Sequence, residues 1–189
     1  ISDIIRQGPY PFDSLRLVQW PCSLEDYTTR IVGIGDNATR LRVVEGIEVG
    51  NRTYAYRNCK YLTAIHASAV IGLGATVGRG AAIMPGAIVG TGCKIGEHCI
   101  LNTNSSLDHD SVMGDFSSLA PGVTSGGDVT IGEGSAICVG ATISHGITIG
   151  ANTVIGAGST VLEDIGPNVV AYGTPARVQR TRKLGDKYL

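Results

Sequence analysis

The chain is poor in aromatic side chains, with 2 Phe, 1 Trp and 7 Tyr among 189 residues, so any core has to come from Val, Ile, Leu and Ala. Charge is scarce as well. Asp, Glu, Lys and Arg make up 16% against roughly 25% in an ordinary soluble domain, which excludes a disordered tail or a coiled coil. Every apolar stretch is interrupted by Gly or a turn residue well before about 20 positions, so no transmembrane helix is expected. Cys occurs five times, at 22, 59, 93, 99 and 138, without a Cys-x-x-Cys spacing. That pattern points away from a disulfide framework or a Cys-ligated zinc and towards a reducing, cytoplasmic setting. The first residues lack the basic-then-apolar order of a secretory signal and begin without Met, so a trimmed start is expected. A formal net charge of −1 argues against a nucleic-acid partner.

Glycine is in excess, with 27 residues, about twice the usual share, and it marks a repeat. Stepping by six from Ile65 to Val161 meets an aliphatic residue or Met at every position except Ser125. Four residues after each stands a small or β-branched side chain, from Ala69 and Ala75 through Cys93, Cys99 and Ser105 to Ser159. Helices need spacings of three and four and long strands need two, so a strict six predicts a hexapeptide β-helix. Three hexads make an 18-residue triangular coil, and residues 18 apart stack at about 4.8 Å. The sequence then becomes a set of coordinates.

In those coordinates His109 and His145 are 36 residues apart, two coils, and both are the third residue of their hexads. Gly127 lies midway, where a missing side chain leaves its amide open to a ligand. A base one coil from a bare amide suits transfer of an acyl group, which needs a proton acceptor for the nucleophile and a donor for the oxyanion. Two His on a polar face beside a turn Gly is the plainer reading. His66 and His98 read as surface or structural residues. No Cys is paired with a base, so direct attack is expected rather than an acyl-enzyme.

Residues 1 to 62 lack the period and read as an incomplete α/β unit. Strands are expected at Leu15 to Gln19 and Arg30 to Ile34, a helix from about Ala38 to Gly46, and a strand at Tyr61 to Ile65. Gly35, Asp36 and Asn37 open that helix. Asp36 or Asn37 is first of all an N-cap, and a strand, a Gly turn and a helix N-terminus also make an anion site. Residues 167 to 189 carry Arg177, Arg180, Arg182, Lys183 and Lys187 against Asp186, a solvated basic tail or a phosphate contact.

The hexads, together with IVGIGDNATR (31 to 40), TAIHASAVI (63 to 71), LDHDSVMGDF (107 to 116), APGVTSGGDVTIG (120 to 132) and AYGTPARV (171 to 178), resemble the hexapeptide-repeat sugar O- and N-acetyltransferases of bacterial glycan synthesis. The resemblance implies a mainly β fold: a left-handed parallel β-helix at 63–166, an N-terminal sugar-substrate unit at 1–62 and a basic C-terminal tail at 167–189. The left hand comes from the resemblance, because generic parallel crossovers are right-handed. It further implies acetyl-CoA as co-substrate, a nucleotide-linked amino sugar as acceptor, and a homotrimer with sites between subunits.

By the same resemblance His109 is the general base and Asp110 its carboxylate partner, with Asp108 as rival. Gly127, Ser118, Val139, Ala157 and Arg177 would meet acetyl-CoA, and Gly35, Asp36 and Asn37 the sugar substrate. Upstream of Gly33 the chain lacks the glycine-rich nucleotide loop with which the resembling enzymes begin. O-acetylation of a sialic acid or other sugar hydroxyl is the alternative within the class. Outside it stand a non-catalytic scaffold and a gamma-type carbonic anhydrase, which shares the prism but binds zinc with three His. No metal is expected here, because the third His is missing.

Overall fold

The computed structural model describes residues 29–52 and 60–186. The expected strand at Leu15 to Gln19, Cys22 and Cys59 lie outside these residues. At the start, β1 (Thr29–Arg30) pairs in parallel with β2 (Lys60–Tyr61), and α1 (Asn37–Arg52) lies between them in sequence. Seventeen two-residue strands follow at six-residue intervals, from β3 (Ala64–Ile65) to β19 (Thr160–Val161). Each pairs in parallel with the strand 18 residues away, as in Ser118 with Ala136 and Leu119 with Ile137.

The strands form three flat faces of eight, six and five strands. The first face holds the strands beginning at Ala64, Ala82, Ile100, Ser118, Ala136 and Val154. The second holds those at Val70, Ile88, Ser106, Thr124, Thr142 and Thr160, and the third those at Thr76, Lys94, Val112, Thr130 and Thr148. The chain is therefore a parallel β-solenoid of nearly six coils, and the six-residue period is its cause. The aliphatic column from Ile83 to Val161 is buried, and the small residues from Ala81 to Ser159 are buried at the corners. Serines fit there because their hydroxyls find backbone partners: Ser135 Oγ donates to Gly150 O at 2.7 Å and accepts from Thr153 N at 2.9 Å. The first coil is the exception, with Ile65 43% exposed, because no coil lies beneath it.

Each corner needs one residue in the left-handed region, and the fourth hexad position supplies it from Gly74 to Gly158. Gly, Asn and Asp hold most of these positions, as sterics require. His98 and Phe116 hold two of them, at φ 54° and 57°.

Three sequence expectations shift. The strand expected at Arg30 to Ile34 is Thr29–Arg30. The helix expected to stop at Gly46 runs to Arg52, since Val44 and Ile47 pack with Val32 and Tyr61 across that glycine. The strand expected at Tyr61 to Ile65 is broken in two, as Leu62 N turns to Arg30 O at 2.7 Å and Thr63 Oγ1 to Gly78 O at 2.9 Å. Beyond the last coil, β20 (Val169–Gly173) continues the first face beside Val154–Ile155, and β21 (Ala176–Thr181) returns antiparallel to it. The basic C-terminal segment is thus partly an ordered hairpin.

Candidate active site

Three hexad corners run the length of the prism, and the candidate functional side chains segregate among them. Between the second and third faces the third hexad position carries His109, Gly127 and His145 in one column, each one coil above the last. His109 Nδ1 is 2.9 Å from Asp110 Oδ2, and the two side chains are 51% and 69% exposed. Asp108, the rival partner, is used otherwise: its Oδ1 accepts from the His109 amide at 2.8 Å. Asp110 can turn its carboxylate back onto the ring because it is itself the left-handed corner residue, at φ 57°, and because the next coil down has Gly92, where a Cβ would strike Asp110 Oδ1.

With Nδ1 bound to a carboxylate, Nε2 is the ring atom left for chemistry. The hydrogen bond that Nδ1–H donates to Asp110 first, and the nearby charges of Asp108, Asp110 and Asp128, hold the imidazole above its usual range. Its free edge lies against Gly127, whose Cβ, were there one, would collide with Nε2, Cε1 and Cδ2 of the ring. Gly127 O accepts from Gly146 N at 3.0 Å, but no group among the described residues accepts from Gly127 N–H. A stronger-than-usual base thus lies against a buried glycine whose amide N–H meets no acceptor among the described residues. The His145 ring completes the corner, its centroid 6.2 Å from that of His109 and tilted by 43°.

The other expected contacts lie elsewhere on the chain. Val139 and Ala157 stack on the corner between the first and second faces, both exposed. Ser118 is half-buried on the first face. Arg177 sits in the hairpin register opposite Tyr172 and pairs with Glu163 at 3.4 Å. Of the basic tail, Arg182 is buried, with Nη1 donating to Asn152 and Nη2 to Asp186 O at 3.0 Å. Lys187 lies outside the described residues. The chain by itself therefore brings together His109, Asp110 and Gly127, and leaves Ser118, Val139, Ala157 and Arg177 away from them.

At the start of α1, Asp36 is the N-cap: its Oδ1 accepts from Thr39 N at 2.8 Å. Partial burial pushes its carboxyl up, and the hydrogen bonds from Thr39 outweigh this to leave it below the ordinary value. Gly35 is exposed with open space around it. Asn37 is buried, and its Nδ2 donates to Ser135 O at 3.1 Å while its Oδ1 accepts from Arg40 at 2.7 Å. Its side chain fastens the helix to the prism.

Sequence reasoning missed the corner at which this fastening happens, between the third and first faces. Arg40 is fully buried, with Nε donating to His98 O at 2.8 Å, Nη2 to Phe116 O at 2.8 Å and Nη1 to Ile34 O at 2.6 Å. The His98 ring stacks on Phe116 at 5.1 Å and meets Tyr61 edge-on at 4.5 Å. Burial lowers its pKa. The available signal was two bulky aromatic rings at a turn position otherwise filled mostly by Gly, Asn and Asp.

The chain matches the bacterial transferase hexapeptide (six repeats) family over residues 74–109 and 128–163. It is 34% identical to a histidine-to-asparagine mutant of perosamine N-acetyltransferase from Caulobacter crescentus, solved with CoA and GDP-perosamine, covering 80% of this chain and 69% of that one at a TM-score of 0.74. The chain belongs to the hexapeptide-repeat transferases. This hexapeptide transferase is also 30% identical to the acetyltransferase domain of PglB from Neisseria gonorrhoeae FA1090 in complex with acetyl coenzyme A, over 79% of this chain and 69% of that one, TM-score 0.72. WeeI from Acinetobacter baumannii AYE shares the fold at 23% identity, 80% and 70% coverage and a TM-score of 0.61. No curated protein matches by sequence. The transferase is an acyltransferase by family. Among the described residues no helix is long and apolar enough to cross a membrane, and no group of three or more His, Cys, Asp or Glu is gathered for a metal ion.

Proposed function

We propose that the protein transfers the acetyl group of acetyl-CoA to an amino group of a nucleotide-linked amino sugar, by direct attack and with His109 as general base. The observation that carries this is the placement of the His109 Nε2 edge against Gly127, whose amide N–H no group among the described residues uses. Asp110 orients the ring and strengthens the base. The acceptor's proton goes to Nε2, and the Gly127 N–H meets the negative charge that develops on the carbonyl oxygen. Three carboxylates near the base, those of Asp108, Asp110 and Asp128, favour a cationic amine approaching this corner over a carboxylated sugar.

The relatives solved with CoA and GDP-perosamine, or with acetyl coenzyme A, support the co-substrate and the acceptor class. A homotrimer with each site between subunits accounts for Ser118, Val139, Ala157 and Arg177, which would serve a neighbour's His109 from their own corner and hairpin. Gly35 and Asp36 remain at the N-terminal unit for the sugar. The reading places the enzyme in the cytoplasm, in bacterial surface glycan synthesis.

The test is thiol release from acetyl-CoA with UDP-, GDP- and dTDP-linked amino sugars and free sialic acid, run beside His109→Ala. Turnover with an amino sugar, lowered at least about a hundredfold in the mutant, is the expected result. Turnover that survives loss of His109, or preference for sialic acid, defeats it.

A further inference from the structure

The second imidazole of the active corner has no part in the scheme above. His145 is exposed, and its ring makes no hydrogen bond among the described residues. Two coils separate it from His109, about 9.6 Å at the parallel-strand spacing, yet the ring centroids are 6.2 Å apart. The rings lean together over the gap left by Gly127. Both rings therefore border the stretch of corner that Gly127 leaves without a side chain, one from each side.

The two rings are not equivalent. Asp110 is bonded to His109, which makes that ring the proton acceptor and puts the attacking nitrogen on its side. A carbonyl held on Gly127 N–H then has its leaving sulfur directed away from the nucleophile, towards the coil of His145. Charge makes a donor necessary there. Asp108, Asp110 and Asp128 surround the base, and they oppose a second anion forming a few ångströms away.

Resting on the acyl-transfer reading, we propose that His145 is a catalytic residue of the leaving-group side, donating a ring N–H to the thioester sulfur as the carbon–sulfur bond breaks. The acceptor's lone pair forms the carbon–nitrogen bond and its proton passes to His109 Nε2. The carbon–sulfur electron pair leaves with sulfur, and the thiolate is held by the His145 N–H until water protonates it. His109 returns its proton to solvent, so the sum is amine plus acetyl-CoA to amide plus CoA thiol.

The test uses the full chain as wild type, His145→Ala and His145→Gln. With CoA bound and no acceptor present, thiolate absorbance in the ultraviolet reports where the thiol ionises. The expected result is ionisation about one pH unit lower on wild type than on His145→Ala, a tenfold difference in thiolate. In turnover, His145→Ala loses about tenfold in kcat with the KM for acetyl-CoA within about twofold, and Gln, which keeps an N–H, recovers part of it. The loss grows with the oxygen-ester analogue of acetyl-CoA, whose leaving group is more basic. Identical ionisation of bound CoA in wild type and His145→Ala, or a loss confined to KM, overturns the proposal. A wild type that binds CoA but transfers to no amino sugar strikes at the acceptor reading and leaves the thiol titration to decide this one. A wild type that binds no CoA overturns both.

Discussion

His98 and His109 are two corners apart along the same solenoid, and they have opposite fates. His109 occupies the third hexad position, its ring outside the prism with a carboxylate on Nδ1, and its basicity is raised. His98 occupies the fourth position at another corner, buried between Tyr61 and Phe116 under the N-terminal unit, and its basicity is lowered. The repeat places both at corners, His98 in the left-handed position and His109 one residue before it. What differs is the column each belongs to: the His109 column has glycine at the next coil up, while the His98 column has Phe116 stacked on it and Arg40 bonded to its carbonyls. A repeat fold thus separates docking from the proposed chemistry by corner.

The comparison breaks most severely at Arg40. Replacing it with Ala leaves the buried carbonyls of His98 and Phe116 without donors, and about 3 kcal/mol of docking is lost. Hydrogen exchange of the α1 amides should rise accordingly while the amides of the solenoid stay protected. At the other corner Gly127→Ala puts a methyl group into the His109 ring. A fall in kcat of about a hundredfold, with unchanged thermal unfolding, is expected if the ring must lie where it does; near-normal turnover would detach the glycine from the chemistry.

Smaller changes sharpen the contrast. Asp110→Asn keeps the shape but removes the charge on Nδ1. A base held above the usual imidazole value of about 6.5 is active only as pH rises past that raised value, so the acidic limb of kcat/KM should move to lower pH in the mutant, with about tenfold less activity. His98 titrates with the opposite sign. Its folded form disfavours the proton, so the neutral docked ring contributes fully above about pH 6.5 and is lost as pH falls from there through the lowered folded value. Glu97, Arg79, Arg40 and Asp115 surround it, and His98→Phe should remove this part of the acid sensitivity of α1 exchange, an effect of about 1 kcal/mol or less.

The solenoid and the His109, Gly127 and His145 column were legible because a fixed period converts sequence separation into height. Burial of the aliphatic column and the corner serines followed the same rule. The N-terminal unit was read less well. Nothing periodic marks where α1 passes Gly46, since its extension depends on Ile47 meeting Tyr61 from a later strand. Asn37 looked like a ligand or a cap because its bond to Ser135 O joins residues far apart in sequence. Arg182 looked like a free cation until Asn152 was brought beneath it. Each miss is a contact made by tertiary packing at a non-repeating residue.

The 18-residue coil also works as a reading frame. Six residues inserted between Ser111 and Gly126 would keep every aliphatic residue inward and every small residue at a corner, so the chain would fold. Gly127 and His145 would nonetheless turn a third of a revolution, onto a corner that His109 does not occupy. Eighteen residues at the same place would return them to the right corner, one storey too high. Heritable changes in length within this prism therefore come in two kinds, those that move a side chain around the axis and those that move it along the axis, and the proposed active corner survives neither unless they fall outside residues 109 to 145.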